Sequence, residues 1–325
     1  MMPTRLKPNL VPLGDRRARP LPLLAAYQGE ATPIFGPFIP SLLKPLGPAL
    51  RAGLARGFAA LAGGRTLGVI CHSRYSDIAR ISLLHVAQEA RGLGLEEMLL
   101  AATMADLGQP GQGRLRVVCE AMVVSHPDPD EVFRGQGVEV VAREILSAPL
   151  GPASPPRPGR DDGWGFRGDG EWKVRGWQDG DAAEAALVLR NANLGTEDGL
   201  IYPELVDRNQ VVAAVNSIMR GSCGRFDTAA SSIAESRRGG FVAGLTMWTR
   251  NTPQAAFITE VAVDPAWQGR GIGTALLDRS LARLAAANLK RVSLGVTVAN
   301  TRARGIYASR GFGRPAAFGS YYLSD

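Results

Sequence analysis

The chain has 325 residues, 45% of them apolar and 21% charged, and a formal charge of +7. That length accommodates two domains of roughly 150 residues, and the composition is that of an ordinary soluble globular chain. The positive charge is not clustered with aromatics, which argues against a nucleic-acid partner, and no run of about 18 apolar residues is present to span a membrane.

The opening stretch, MMPTRLKPNLVPLGDRRARP, is basic and broken by prolines, and it lacks the apolar core of a secretion signal. Cys71, Cys119 and Cys223 lie far apart. They have neither metal-ligand spacing nor a disulfide framework, a pattern that reads as free thiols in a reducing compartment. A cytoplasmic protein without a metal site is therefore expected.

In chain order, ARISLLHV reads as a strand, and QEARGLGLEEMLLAA as a glycine turn opening a helix. CEAMVVSHPDPDEVFRGQGVEVV then reads as strand, short helix, glycine and strand. The stretch from Ser147 to Trp172, SAPLGPASPPRPGRDDGWGFRGDGEW, is dominated by proline and glycine without apolar periodicity. It marks a linker at 151–171 between a first domain, 1–150, and a second, 172–325.

In the second half KVRGW is a strand, followed by a helix over Ala182–Asn193. SSIAES and FVAGLTMW flank RRGG as a hairpin, and AFITEVAV continues the sheet. WQGRGIG then leads into a helix in which Leu276, Leu277, Leu281 and Leu284 recur at helical spacing. RVSLGVTV is the next strand. Thr301–Arg310 forms a short helix closed by Gly311, whose position suits a left-handed cap, and AAFGSYYLS is the last strand. The predicted fold class is α+β, with a mixed, mostly antiparallel sheet flanked by helices.

A helix that begins in glycine-rich backbone presents unpaired N–H groups and a positive dipole end, which together make an anion site. The two halves repeat this arrangement. Placing Gly92 on Gly271 and Gly94 on Gly273 aligns Arg91 with Arg270, and CEAMVVSHPDPDEVFRGQGVEVV falls on SLGVTVANTRARGIYASRGFGRP. A dinucleotide fold would need a third glycine where Thr274 stands and an acid ending RVSLGVTV. A hydrolase triad in the second half is excluded because His72, His85 and His126 all lie in the first.

Gln268-Gly269-Arg270-Gly271-Ile272-Gly273, preceded by Val-Ala-Val-Asp-Pro and followed by Asn300 and Tyr307 ahead of Arg310-Gly311-Phe312, resembles the GCN5-related N-acetyltransferase (GNAT) family. The layout of two copies resembles its tandem members, such as mycothiol synthase, in which a degenerate first copy accompanies an active second one. The resemblance implies an acetyl-CoA cosubstrate. Its pyrophosphate would lie on the loop Gln268–Gly273 with Thr274, and its pantetheine arm along Val261, Ala262 and Val263. It further implies Asn300 as a coenzyme contact and Tyr307 as the acid that protonates the leaving thiolate.

An amine acceptor must lose a proton before attack, and without a histidine in this half the base must be a carboxylate or water ordered by one. Glu260 is the candidate, with Glu235 as the alternative. On the repeat alignment Gln268 becomes Glu89, Glu260 becomes Ile81, Asn300 becomes His126 and Tyr307 becomes Phe133. The first half therefore reads as a pseudo-acetyltransferase domain, and His126 as a turn residue. The expected function is acetyl transfer from acetyl-CoA to a primary amine by a monomer or homodimer. The alternative is a non-catalytic acyl-CoA sensor.

Overall fold

The computed structural model describes residues 8–52, 54–108, 115–151 and 170–323. Most of the proline-glycine segment expected as a linker, 152–169, lies outside these residues. The chain divides into two compact units, Met1–Arg143 with Ala317–Asp325, and Glu144–Ala316. These units differ from the expected halves at both ends. Residues 144–150 belong with the second unit, and the end of the chain's last strand belongs with the first.

The first unit opens with β1 (Asn9–Pro12), α1 (Pro20–Phe35), α2 (Ile39–Leu43) and α3 (Leu46–Arg51). β2 (Arg56–Ala62), β3 (Arg65–Tyr75) and β4 (Ile78–Val86) follow as an antiparallel meander. α4 (Leu95–Leu107), β5 (Arg116–Cys119), α5 (Pro129–Arg134) and the beginning of β6 (Glu139–Pro149) complete it. β5 runs parallel to β4 and antiparallel to the end of the chain, where Tyr321 pairs with Cys119. Leu95, Leu99 and Leu100 of α4 pack on Ala60, Ile70, Leu84 and Val86.

The second unit holds the rest of β6, then β7 (Trp172–Gly176), α6 (Ala182–Asn193), α7 (Glu197–Ile201), α8 (Pro203–Val206), α9 (Val211–Met219) and β8 (Arg225–Phe226). β9 (Ser232–Ser236), β10 (Val242–Thr252), β11 (Ala255–Val263), α10 (Ile272–Ala286), β12 (Arg291–Thr297), α11 (Thr301–Ala308) and the start of β13 (Gly313–Tyr322) follow. The expected strands, helices and hairpin are present. The three short helices α7–α9 and the two-residue β8 were not expected, although Val211, Val215 and Ile218 of α9 recur at helical spacing. Strand order is β6-β12-β11-β10-β9-β7, with β8 beside β10; β11 and β12 run parallel, while β10 is antiparallel to β11, β9 and β8, and β9 to β7.

Alternation along β10 builds the two layers. Leu245 and Met247 meet Val188, Leu189 and Val215 of α6 and α9 on one face. On the other face, Thr246 bonds Ser280 of α10 at 3.0 Å. Gly244 lets α10 settle on the sheet, since a Cβ there would meet Ile272 Cγ2 at 3.0 Å and Leu276 Cδ1 at 3.2 Å. Leu276, Leu277, Leu281 and Leu284 are buried as their spacing predicts.

Candidate active site

The site begins where two strands part. β11 and β12 are paired from Ala255↔Arg291 to Ile258↔Leu294, after which each runs on without the other. A β-bulge falls at this point, where Met247 of β10 faces Glu260 and Trp248 faces Ile258. The skipped residue, Thr259, donates its hydroxyl to Met247 O at 3.0 Å. Beyond the bulge, Val261 and Val263 are half-buried and Ala262 is buried. Among the described residues the β12-facing edge of this stretch has no strand partner, which leaves backbone groups for an extended ligand.

Next comes the glycine loop. Asp264 accepts from Ala266 N–H at 3.0 Å and from Asn191 Nδ2 of α6 at 2.8 Å, which fixes the turn at Pro265–Trp267. Gln268 is extended. Gly269 and Gly271 have φ of 83° and 78°, a region costly to residues with a Cβ, and Gly271 is the residue from which α10 starts. No atom lies within 4 Å of where a Cβ would stand at either glycine, so the space over the loop is open. Ile272 is buried as the anchor, a Cβ at Gly273 would stand 3.6 Å from Val263 Cγ2, and Thr274 is half-buried. The first turn of α10 carries no acid. The guanidinium of Arg270 pairs with Glu171 and lies 4.7 Å from the Trp267 ring centre, so Arg270 has its backbone, rather than its charge, to offer over the loop.

α11 brings the third part. Asn300 caps it, accepting from Ala303 N–H at 3.1 Å. Arg304 pairs with Glu144 at 3.0 Å, and Arg310 with Asp278 of α10 at 2.8 Å, which locks the helix in place. Tyr307 is 8% exposed and stands against Phe312. Burial raises its phenol above the ordinary tyrosine range, and the charges of Asp198 and Glu260 raise it further. The group therefore holds its proton at neutral pH and has one to give.

Asp198 is the residue that sequence reasoning missed. It sits in α7, within a stretch without periodicity, and accepts from Thr297 Oγ1 at 2.8 Å. The contact brings α7 to the far end of β12. Nothing local in the sequence announces it. Glu235, the alternative base, is held by Arg175 at 2.5 Å and by Lys173 at 3.3 Å. The Arg175 hydrogen bond leads in lowering its pKa, so it is an ion-pair partner rather than a proton acceptor.

The first unit repeats this frame in a register different from the one expected. β4 and β5 stay paired as far as Ile81↔Cys119, and a bulge follows between the pairs Ile81–His72 and Leu83–Cys71. Gly92 and Gly94 have φ of 75° and 72°, and α4 starts from Gly94. Gly92 therefore matches Gly269, and Gly94 matches Gly271. The third glycine, Gly273, lies inside the helix and misled the alignment. Arg91, not Glu89, stands where Gln268 does, and Leu83, not Ile81, stands where Glu260 does.

Asp128 takes the capping position of Asn300, accepting from Glu131 N–H at 3.2 Å. His126 serves the preceding turn, 3.1 Å from Asp128 N. Phe133 does match Tyr307, because Gly137 and Gly311 close the two helices in the same left-handed conformation. Phe133 stacks on Tyr321 at 3.7 Å, and the Tyr321 hydroxyl donates to Asp130 at 2.9 Å.

Among the described residues no group of His, Cys, Asp and Glu could hold a metal ion, and no helix is long and apolar enough to cross a membrane.

Residues 198–312 match the model of the acetyltransferase (GNAT) family. A mycothiol acetyltransferase from Beutenbergia cavernae is 44% identical over 78 residues, a match that takes in 23% of this chain and 26% of that protein. Among solved structures, a tandem GNAT protein from the clavulanic acid biosynthesis pathway superposes over 97% of this chain and 98% of its own, with a TM-score of 0.57 and 16% identity. A GCN5-related N-acetyltransferase from Sphaerobacter thermophilus does so over 96% and 95%, with a TM-score of 0.61 and 16% identity. At such identity these two likenesses are of fold.

Proposed function

From the match of residues 198–312 to the GNAT acetyltransferase family model, we propose that the chain transfers the acetyl group of acetyl-CoA to a primary amine, with its site in the second unit. One observation carries this reading. The second unit combines the open loop of Gly269 and Gly271 at the start of α10, the strand edge beyond Ile258, and a Tyr307 phenol that burial and the charge of Glu260 keep protonated.

In this mechanism the loop N–H groups and the α10 dipole hold the pyrophosphate. The β11 backbone from Val261 to Val263 binds the pantetheine, and an N–H there polarises the thioester carbonyl. The amine attacks that carbonyl, Glu260 accepts the proton the amine loses, and Tyr307 donates its proton to the departing thiolate. The first unit, with Phe133 and Leu83 at the matching positions, serves a structural part.

Turnover of acetyl-CoA against simple amines and the acceptor of mycothiol acetyltransferase, together with calorimetric titration of the full chain, tests the proposal. One coenzyme bound per chain with an acceptor consumed is the expected result. Tight binding with no turnover of any amine would favour an acyl-CoA sensor instead.

A further inference from the structure

The coenzyme loop has a side-chain cation of its own, and it comes from another element. Arg302, in the first turn of α11, donates through Nη1 to Gln268 Oε1 at 3.1 Å. Gln268 in turn donates through Nε2 to Val263 O at 3.2 Å. The Gln268 amide thus uses both ends to tie the guanidinium to the last residue of β11. Arg302 is exposed and makes no ion pair among the described residues, whereas Arg270, Arg304 and Arg310 around it are each paired with a carboxylate. A cation in the first turn of a helix opposes the helix dipole, so the fold gains nothing from its charge there.

The first unit shows the opposite arrangement. Asp130 occupies the place of Arg302 after the helix cap, and Arg91, in the place of Gln268, is neutralised by Glu30.

Resting on the acetyl-CoA reading above, we infer that Arg302 is a specificity-determining residue for the coenzyme's phosphates. Gln268 is then a positioning residue that acts by holding the guanidinium over the loop, and only the second unit is equipped this way.

Calorimetric titration of the full chain with acetyl-CoA and with 3′-dephospho-CoA, at low and high salt, tests the assignment. Arg302→Gln should weaken acetyl-CoA binding about tenfold at low salt and flatten its salt dependence. Arg302→Lys should recover part of the loss. Thermal stability should not change, because the side chain is exposed. Gln268→Ala should weaken binding by a similar factor and add little when combined with Arg302→Gln. A loss that persists with 3′-dephospho-CoA assigns the guanidinium to the pyrophosphate, and one that disappears assigns it to the 3′-phosphate. Wild-type affinity in Arg302→Gln would overturn the inference while leaving the acetyltransferase reading in place. Failure of the wild-type chain to bind acetyl-CoA at all would overturn both.

Discussion

Tyr307 and Glu260 can be separated because each should fail in its own way. Tyr307→Phe keeps the ring against Phe312 and removes only the hydroxyl, so coenzyme affinity and folding should stay near wild type. The rate constant kcat should fall by about 10²-fold, the lower end of general-acid contributions, since a thiol is a fair leaving group. Steady-state kinetics with a working acceptor measures this, and an undiminished kcat would reduce Tyr307 to a packed aromatic. Glu260→Gln should lower the rate at neutral pH and lose progressively less as the pH approaches the amine's own pKa of about 10, where solution supplies the free base. Because the phenol of Tyr307 is raised rather than lowered, its own ionisation should not limit the rate below the ordinary tyrosine range. A pH–rate profile of Glu260→Gln parallel to the wild type would remove Glu260 from the mechanism.

The glycine loop and the helix it opens act as one element. Gly271→Val places a β-branched residue at φ of 78°, which strains the backbone, and projects its side chain into the open space over the loop. We expect acetyl-CoA binding to become undetectable by calorimetry, while thermal unfolding shows a loss of only about 1–3 kcal/mol. Retained binding would mean that the coenzyme does not approach this backbone. The element also shows where reading by pattern failed. RGLG and GRGIG share glycines at the same spacing, and only the dihedral angles reveal that Gly273 belongs to the helix and Gly269 to the turn.

Over the whole chain, the two units do not close on their own stretches of sequence. The first unit takes in residues from Ala317 onward, and Tyr321 from this segment stacks on Phe133 and bonds Asp130. Tyr321→Phe leaves Asp130 without that donor and should cost about 1–3 kcal/mol, whereas Tyr321→Ala also empties a buried aromatic site and should cost about 3–5 kcal/mol. Denaturant unfolding measures both, and wild-type stability in Tyr321→Phe would show the hydrogen bond to be idle. The burial that raises Tyr321, with Asp130 beside it, means that the folded state keeps a proton which the unfolded chain releases near pH 10. Stability from this group is therefore present below about pH 10 and is lost above it, less steeply in Tyr321→Phe.

Much of this protein was legible in the sequence because the signals are local. Apolar periodicity marked α10, the hairpin glycines joined β9 to β10, and a glycine-rich turn marked where α10 starts. Gly311 marked the left-handed stop of α11, since turns depend on neighbours a few residues away. What only the tertiary structure decided was set by pairings between distant residues. Asp198 reaches Thr297 across most of the second unit, Arg302 reaches Gln268 from another helix, and Arg175 claims Glu235. The bulge that puts Leu83, rather than Ile81, in the place of Glu260 depends on strand register, and so does the entry of the final strand into the first unit. Register and partner choice are settled by burial and hydrogen bonding between strands, and a single strand's own residues do not encode which edge it will join.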